Sequence, residues 1–324
     1  MPILKSDFTA TLPFKNGHFN TMYRPLFMKN TCAYHRKRIT TWDNDFIDLD
    51  CSFVGSKTLV LLIHGLEGSA ASNYMVATVN LLNANQIDTV CFNLRSCSGE
   101  DNLRLETYHS GKTEDVDFVV KHLLKNYNHE NLIIVGFSLG GNLTLKYLGE
   151  YQEKLSSKIK GGIAVSVPID MGTAELEMDK LKNKIYVELF FKTMKNKILE
   201  KAYKFPAFNL NKEKLFKATK FKHLEELYTI PVFGFKSPED YWQKASAKPY
   251  IPKIDRPTLL INAKDDSFLS PACFPRKEAL QSNHFYLEMP NYGGHCGFIS
   301  SFKPKENQWL ENRILKFIEN KIRI

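Results

Sequence analysis

Apolar residues in this chain gather into short, nearly unbroken runs, and between the runs they recur every three or four positions. The runs are Thr58–Ile63, Thr89–Leu94, Leu132–Val135, Ile163–Val167, Thr258–Ile261 and Phe285–Met289. Runs with no polar alternation are the pattern of strands buried on both faces. Between them, Thr113 is placed to cap a helix with Glu114 and Asp115 in its first turn, where carboxylates suit the positive end of the helix dipole. Val116, Val119, Val120, Leu123, Leu124 and Tyr127 form the inward stripe of that helix. A further helical segment covers Asn142–Glu150, and a last one from about Glu306 to Ile322 turns Trp309, Leu310, Ile314, Phe317 and Ile318 inward. His35–Thr41 and Asp45–Cys51 alternate polar and apolar residues around Asp43-Asn44, which predicts an antiparallel hairpin at a sheet edge. Residues 1–34, with Pro2, Pro13 and Pro25, read as irregular. Alternating strands and helices predict an α/β protein with a mostly parallel, doubly wound sheet.

One stretch breaks the rhythm. Residues 170–253 hold helical patterns such as Leu181–Ile198, several prolines and little strand alternation. They read as a mostly helical cap inserted in a single domain spanning 1–324; the alternative is crossover helices joined by long loops.

Composition narrows the class. With 324 residues, 43% apolar and 24% charged, the chain is an ordinary globular protein able to bury a large core. No run of about 18 apolar residues marks a membrane span, and Met1–Ala10 lacks the basic-then-apolar pattern of a signal peptide. A cytoplasmic protein is expected. Cys32, Cys51, Cys91, Cys97, Cys273 and Cys296 form no Cys-x-x-Cys pair, so free thiols are expected, and neither metal nor cofactor. The net charge is +9 and lysines crowd Lys180–Lys222. That stripe reads as a solvated insertion, with weak membrane-surface contact as the functional alternative; no nucleic-acid motif accompanies it.

The chemistry centres on Gly136-Phe137-Ser138-Leu139-Gly140. A Gly-x-Ser-x-Gly turn between a strand and a helix is the setting of a nucleophile elbow, in which the serine Oγ stands exposed above the carboxyl end of a sheet. A serine hydroxyl attacks a carbonyl only with a base in reach and a third group holding that base. In elbow-bearing sheets these follow in the order serine, acid, histidine. Asp265 and Asp266 lie just past Leu259-Leu260-Ile261, and Asp266, before Ser267-Phe268-Leu269, fits the acid turn better. His295, flanked by Gly293-Gly294 and Gly297 after the strand Phe285–Met289, is the base candidate; His109, His122 and His129 precede the serine and His223 falls inside the insertion. The backbone N–H groups of Leu139 and of Leu66, within His64-Gly65-Leu66-Glu67-Gly68, are the oxyanion-hole candidates. His64 itself reads as structural. Cys97 and Cys296 fall near the site as rival nucleophiles, and Arg95 and Glu100 are expected to pair across their loop or to bind substrate.

These stretches resemble the α/β-hydrolase superfamily, and within it the YheT-like branch of esterases. The resemblance is carried by Asn16-Gly17-His18 with Thr21, His64–Gly68, Asn93–Glu100, Tyr108–Gly111, Gly136–Glu150, Asp265-Asp266 with Phe268, and Gly293–His295, which span almost the whole chain. It implies an α/β-hydrolase fold, a Ser138–Asp266–His295 triad and a small-molecule ester substrate, including lipid esters. Relatives include phospholipases and ester-forming acyltransferases, some with an N-terminal membrane segment that is not expected here. Three functions follow in order: a serine carboxylesterase or lipase, an acyltransferase using the same acyl-enzyme, and a non-catalytic binding protein on the same scaffold.

Overall fold

The computed structural model describes residues 2–323. A nine-stranded sheet forms the centre, built from β1 (Ile3–Leu4), β2 (His35–Thr40), β3 (Phe46–Ser52), β4 (Thr58–Ile63), β5 (Asp88–Asn93), β6 (Asn131–Phe137), β7 (Ile159–Val165), β8 (Thr258–Ile261) and β9 (Phe285–Glu288). Their order is β1-β9-β8-β7-β6-β4-β5-β3-β2, parallel except where β3 joins β5 and β2 joins β3. The hairpin at the edge is the expected one, and the apolar runs are the parallel strands.

Both faces of those strands are dry. Leu132 and Ile134 point into one layer with Leu59 and Leu61 of β4, while Ile133 and Val135 point into the other with Val60 and Leu62. The first layer is closed by α3 (Thr113–Asn126) and α4 (Leu139–Glu150), the second by α2 (Asn73–Ala84) and α12 (Trp309–Phe317). Each fully buried aliphatic side chain contributes about 1.5–3 kcal/mol, which is why no polar alternation survives in the runs. Thr113 is the first residue of α3 rather than its cap: Lys112 takes the cap position, and the Thr113 hydroxyl donates to Glu150 Oε2.

The opening segment is not irregular. β1 pairs with β9 at the far edge, and α1 (Gly17–Phe27) follows, capped by Asn16, whose Oδ1 accepts the Phe19 N–H. Pro25 lies inside α1 and has no N–H to offer the Thr21 carbonyl, so the helix stops two residues later.

Between β7 and β8 the chain leaves the sheet for a run of helices: α5 (Met171–Met178), α6 (Lys184–Lys204), α7 (Lys212–Lys217), α8 (Phe221–Leu224), α9 (Ile230–Phe233) and α10 (Pro238–Ala245). Side-chain caps start three of them, with Asp170, Asn211 and Ser237 accepting from N–H groups in the first turns of α5, α7 and α10. Pro238 stands in an opening turn, where a missing N–H costs nothing, whereas Pro231 follows directly on the helical turns of Phe221–Leu224 and Glu225–Thr229 and removes one donor from that continuous path. This insertion has an apolar core of its own, including Tyr186, Phe191, Leu215 and Tyr228, closed by Phe268 from the loop after β8. No helix among the described residues is long and apolar enough to cross a membrane.

Arg95 and Glu100 do not pair. The Arg95 guanidinium is buried between Asp43, Asp45 and Asp115, while Glu100 pairs with Arg38 at the surface. Arg95 therefore braces the β2–β3 turn against α3 and is closed off from substrate.

Candidate active site

Strand β6 ends at Phe137 and α4 begins at Leu139, which leaves Ser138 alone to reverse the chain. It does so at φ +54° and ψ −118°, a conformation that costs a non-glycine residue about 1–3 kcal/mol unless its surroundings enforce it. They do. The Ser138 N–H donates to the Val165 carbonyl at 2.8 Å. A Cβ on Gly136 would lie 2.1 Å from the Gly140 carbonyl oxygen, and one on Gly140 would lie 2.2 Å from that of Ile63. Strand and helix thus meet at a distance only glycine permits. The Ser138 hydroxyl caps no helix N–H and is free for other work.

His295 takes it. Its Nε2 is 2.9 Å from Ser138 Oγ, and its Nδ1 is 2.8 Å from Asp266 Oδ2. A carboxylate only accepts, so Nδ1 carries the proton and Nε2 is the acceptor facing the hydroxyl. Asp266 is buried, and its other oxygen accepts the Phe268 N–H at 2.9 Å. The Phe268 ring stacks on the imidazole with centroids 4.2 Å apart. Residues from three separated stretches are thus brought into one relay, and Asp266 rather than Asp265 completes it.

The loop bearing His295 is held by α1, which sequence reasoning passed over. Gly294, at φ +55°, packs so closely on that helix that a Cβ would lie 2.3 Å from the Gly17 carbonyl oxygen. The His295 N–H donates to Thr21 Oγ1 at 2.8 Å, and that hydroxyl donates to the Gly17 carbonyl at 2.7 Å. Asn20 accepts the Ile299 N–H, and Arg24 donates to the Gly297 carbonyl. The signal was the Asn16-Gly17-His18 stretch with Thr21, visible only through resemblance.

Asp265 has a different task. Its Oδ1 accepts the Gly294 N–H at 2.9 Å, while its Oδ2 is buried without a partner. Burial, with Asp266 adding repulsion, pushes its carboxyl up to about 6. A carboxyl whose folded value is raised stabilises the fold fully below about pH 4, its unfolded value, and loses that contribution as pH rises through the folded one. Asp265→Asn is therefore expected to gain about 1 kcal/mol over wild type between pH 5 and pH 7.5, discounted for the partial exposure of the site. Urea unfolding at the two pH values reads this directly; a difference independent of pH would contradict it.

The turn after β4 approaches Ser138 from the other side. The Gly65 N–H donates to Tyr74 Oη and the Glu67 N–H to Tyr108 Oη, each at 3.0 Å. The N–H groups of Leu66 and Leu139 have no hydrogen-bond partner among the described residues, and both residues line one pocket with Ser138 and His295. His64 is fully buried, hydrogen-bonded through Nδ1 to the Gly65 carbonyl and through Nε2 to the Leu94 N–H. Burial lowers it to about 4, so it is a neutral pin and not a base. His109 is also lowered by burial, to about 3, and is wedged among Phe233, Phe235 and Tyr241. Burial raises Cys97 and Cys296 to about 12, which keeps both as thiols at neutral pH.

Ser138 and His295 stand together at the wall of this pocket. Most of its wall is apolar and comes from the insertion, with Met171, Met178, Phe190, Met194, Ile198 and Leu224 among the contributors. Its acidic spots include Glu175 and Glu225, both raised by burial, with Trp242 Nε1 donating to Glu225 at 2.9 Å.

A family profile described as the alpha/beta hydrolase fold matches residues 58–302. The YheT protein of Escherichia coli K12 is 30% identical over 315 residues, covering 95% of this chain and 92% of its own. The human phospholipase ABHD3 is 25% identical, over 98% of this chain and 80% of its own. Among solved structures, the esterase Pf2001 of Pyrococcus furiosus superimposes with a TM-score of 0.58 at 18% identity, covering 90% of this chain and 93% of its own.

Proposed function

The chain belongs to the α/β-hydrolase family and its YheT-like branch, and from that premise we propose that it is a serine hydrolase of carboxylic esters, with Ser138 as nucleophile, His295 as base and Asp266 as the acid that orients it. The observation carrying this reading is the unbroken relay from Oγ to Nε2 and from Nδ1 to Oδ2, at 2.9 and 2.8 Å, opening onto an apolar pocket.

The steps follow from the geometry. Ser138 Oγ attacks the acyl carbon as its proton passes to His295 Nε2, and Asp266 holds the imidazolium in register. The carbonyl electron pair moves onto its oxygen, which accepts hydrogen bonds from the Leu66 and Leu139 N–H groups; Leu139, at the start of α4, adds the positive end of the helix dipole. Collapse of the tetrahedral adduct expels the alcohol, protonated by Nε2. Water, activated by the same nitrogen, then releases the acid and restores the serine.

The apolar lining of the pocket suits an acyl chain, and relatives named phospholipase and monoacylglycerol lipase agree with a lipid ester. In this reading residues 170–253 are the cap that selects the acyl group. The test is a nitrophenyl-ester panel of increasing chain length, together with labelling by a fluorophosphonate. Labelling that requires Ser138 is expected, and a native protein that resists the probe would overturn the proposal.

The charge of the insertion fits a lipid substrate. Thirteen lysines and three acidic residues lie between 180 and 222, a net +10 against +9 for the whole chain, so the remainder is close to neutral. Leu181, Ile185 and Leu189, four residues apart, are 84%, 55% and 54% exposed on the outer side of the insertion. This surface is read as making weak contact with an anionic membrane. Co-sedimentation with phosphatidylglycerol vesicles is expected, weakening steeply as salt is raised, with little on phosphatidylcholine. Equal sedimentation with both lipids would contradict the reading.

A further inference from the structure

The turn beside Ser138 holds a glutamate in a backbone conformation that glycine would adopt more readily. Glu67 sits at φ +54°, in the left-handed region that side-chain-bearing residues avoid. Its own side chain accounts for this. Tyr108 grips the residue at two points, since its hydroxyl oxygen accepts the Glu67 N–H at 3.0 Å while its hydrogen goes to Glu67 Oε1 at 2.7 Å. From the opposite side Lys197 reaches in from α6, its Nζ 3.0 Å from each carboxylate oxygen and 3.4 Å from Cys97 Sγ. The Glu67 side chain is only 7% exposed, so this pair is desolvated and unlike a surface ion pair. Leu66 thus lies between two fixed points, Tyr74 on the Gly65 N–H and Tyr108 on the Glu67 N–H. Tyr74 belongs to α2, while Tyr108 and Lys197 both line the pocket and Lys197 comes from α6.

We infer that Lys197 and Tyr108 are positioning residues for the oxyanion hole. They hold Glu67, and through it the Leu66 N–H, in the geometry that transition-state stabilisation requires. Lys197 also makes that geometry depend on how α6 is seated. The same helix presents Phe190, Met194 and Ile198 to the pocket, so an acyl chain packed against them braces α6 in the seat from which Lys197 already grips Glu67. Binding energy from the remote end of the substrate is then expressed in kcat and not only in KM. This inference rests on the esterase reading above.

The test uses the full-length protein with Lys197→Met and Tyr108→Phe. Three quantities are measured: nitrophenyl-ester kinetics across chain lengths, the Kd of an alkyl boronic acid, whose adduct on Ser138 places a hydroxyl where the oxyanion forms, and the Kd of an unreactive alkyl ether of equal length. Removing an oxyanion donor outright costs about 10²–10³ in rate; displacing one is expected to cost about 10–100-fold in kcat for each variant. KM is expected to stay within about threefold. The boronate should weaken by the same factor as kcat while the ether does not, and the rise of kcat with chain length should flatten in Lys197→Met. Because both substitutions act on one turn, the double variant should lose far less than the product of the single losses. Should Lys197→Met fail to fold, Tyr108→Phe carries the same test. Unchanged kcat and boronate affinity would overturn the inference, as would equal weakening of boronate and ether, the mark of a general structural loss. Wild type inactive on every ester would instead sink the esterase reading itself, whereas an active wild type with unaffected variants removes this inference alone.

Discussion

Ser138→Ala is expected to lower kcat/KM for nitrophenyl esters by about 10⁴–10⁶, leaving the fold intact. The size follows from how the residues act. In the proposed mechanism Ser138 Oγ alone forms a bond to substrate, and without it His295 and Asp266 have no serine proton to move. Residual turnover would come from water attacking an ester whose carbonyl oxygen sits in the oxyanion hole, a much poorer route. The substitution removes one oxygen from a side chain that supports no helix cap, so melting should hardly change. The φ of +54° at this position is no easier for alanine, and the backbone bonds that enforce it remain. Equal turnover by variant and wild type would end the nucleophile assignment.

Asp266→Asn is expected to cost about 10³–10⁴ in kcat, the effect of holding the imidazole in the wrong tautomer. An amide at this position can offer N–H to Nδ1, which then becomes the acceptor and leaves a proton on Nε2 facing the serine hydroxyl. The neighbouring carboxylate does not rescue the variant, because Asp265 is turned toward the Gly294 N–H. Asp265→Asn should therefore lose no more than about tenfold in kcat, acting only through the loop it steadies. A reversal of these two results would exchange the roles of the aspartates. Pairing the measurements with melting curves separates chemistry from stability, since Asp266 also accepts the Phe268 N–H.

What the sequence disclosed depended on which side chains face inward. Strands β4 to β9 were legible because both faces of each are dry, so their residues run apolar without a break. The three relay residues were legible because each follows the carboxyl end of a strand and two have glycines beside them. Helix α1 was not, although it holds the loop of His295. Its inward positions include Asn20 and Arg24, which are 0% and 2% exposed and bond to Ile299, Gly297 and Glu311, with Arg24 Nη2 left without a partner. Phe19, Met22, Tyr23, Leu26 and Phe27 do recur at helical spacing, but Leu26 and Phe27 are exposed, the buried positions are polar, and Pro25 reads as a helix breaker. The same limit misdirected the expectation for Arg95: a partner five residues away looked natural, but its carboxylates come from positions 43, 45 and 115. The tie between Lys197 and Glu67 joins residues 130 apart in the chain, and no local pattern announces it.

The bond between the Thr21 hydroxyl and the backbone of His295 spans 274 residues. Synthesis runs from the N-terminus, so α1 leaves the ribosome long before the loop it must hold exists. Until residues 295 to 299 emerge, Thr21 and Asn20 can hold only the Gly17 and Phe14 carbonyls of their own segment. The loop that carries His295 is therefore set in place late, when α1 and the stretch from His295 to Ile299 close on each other.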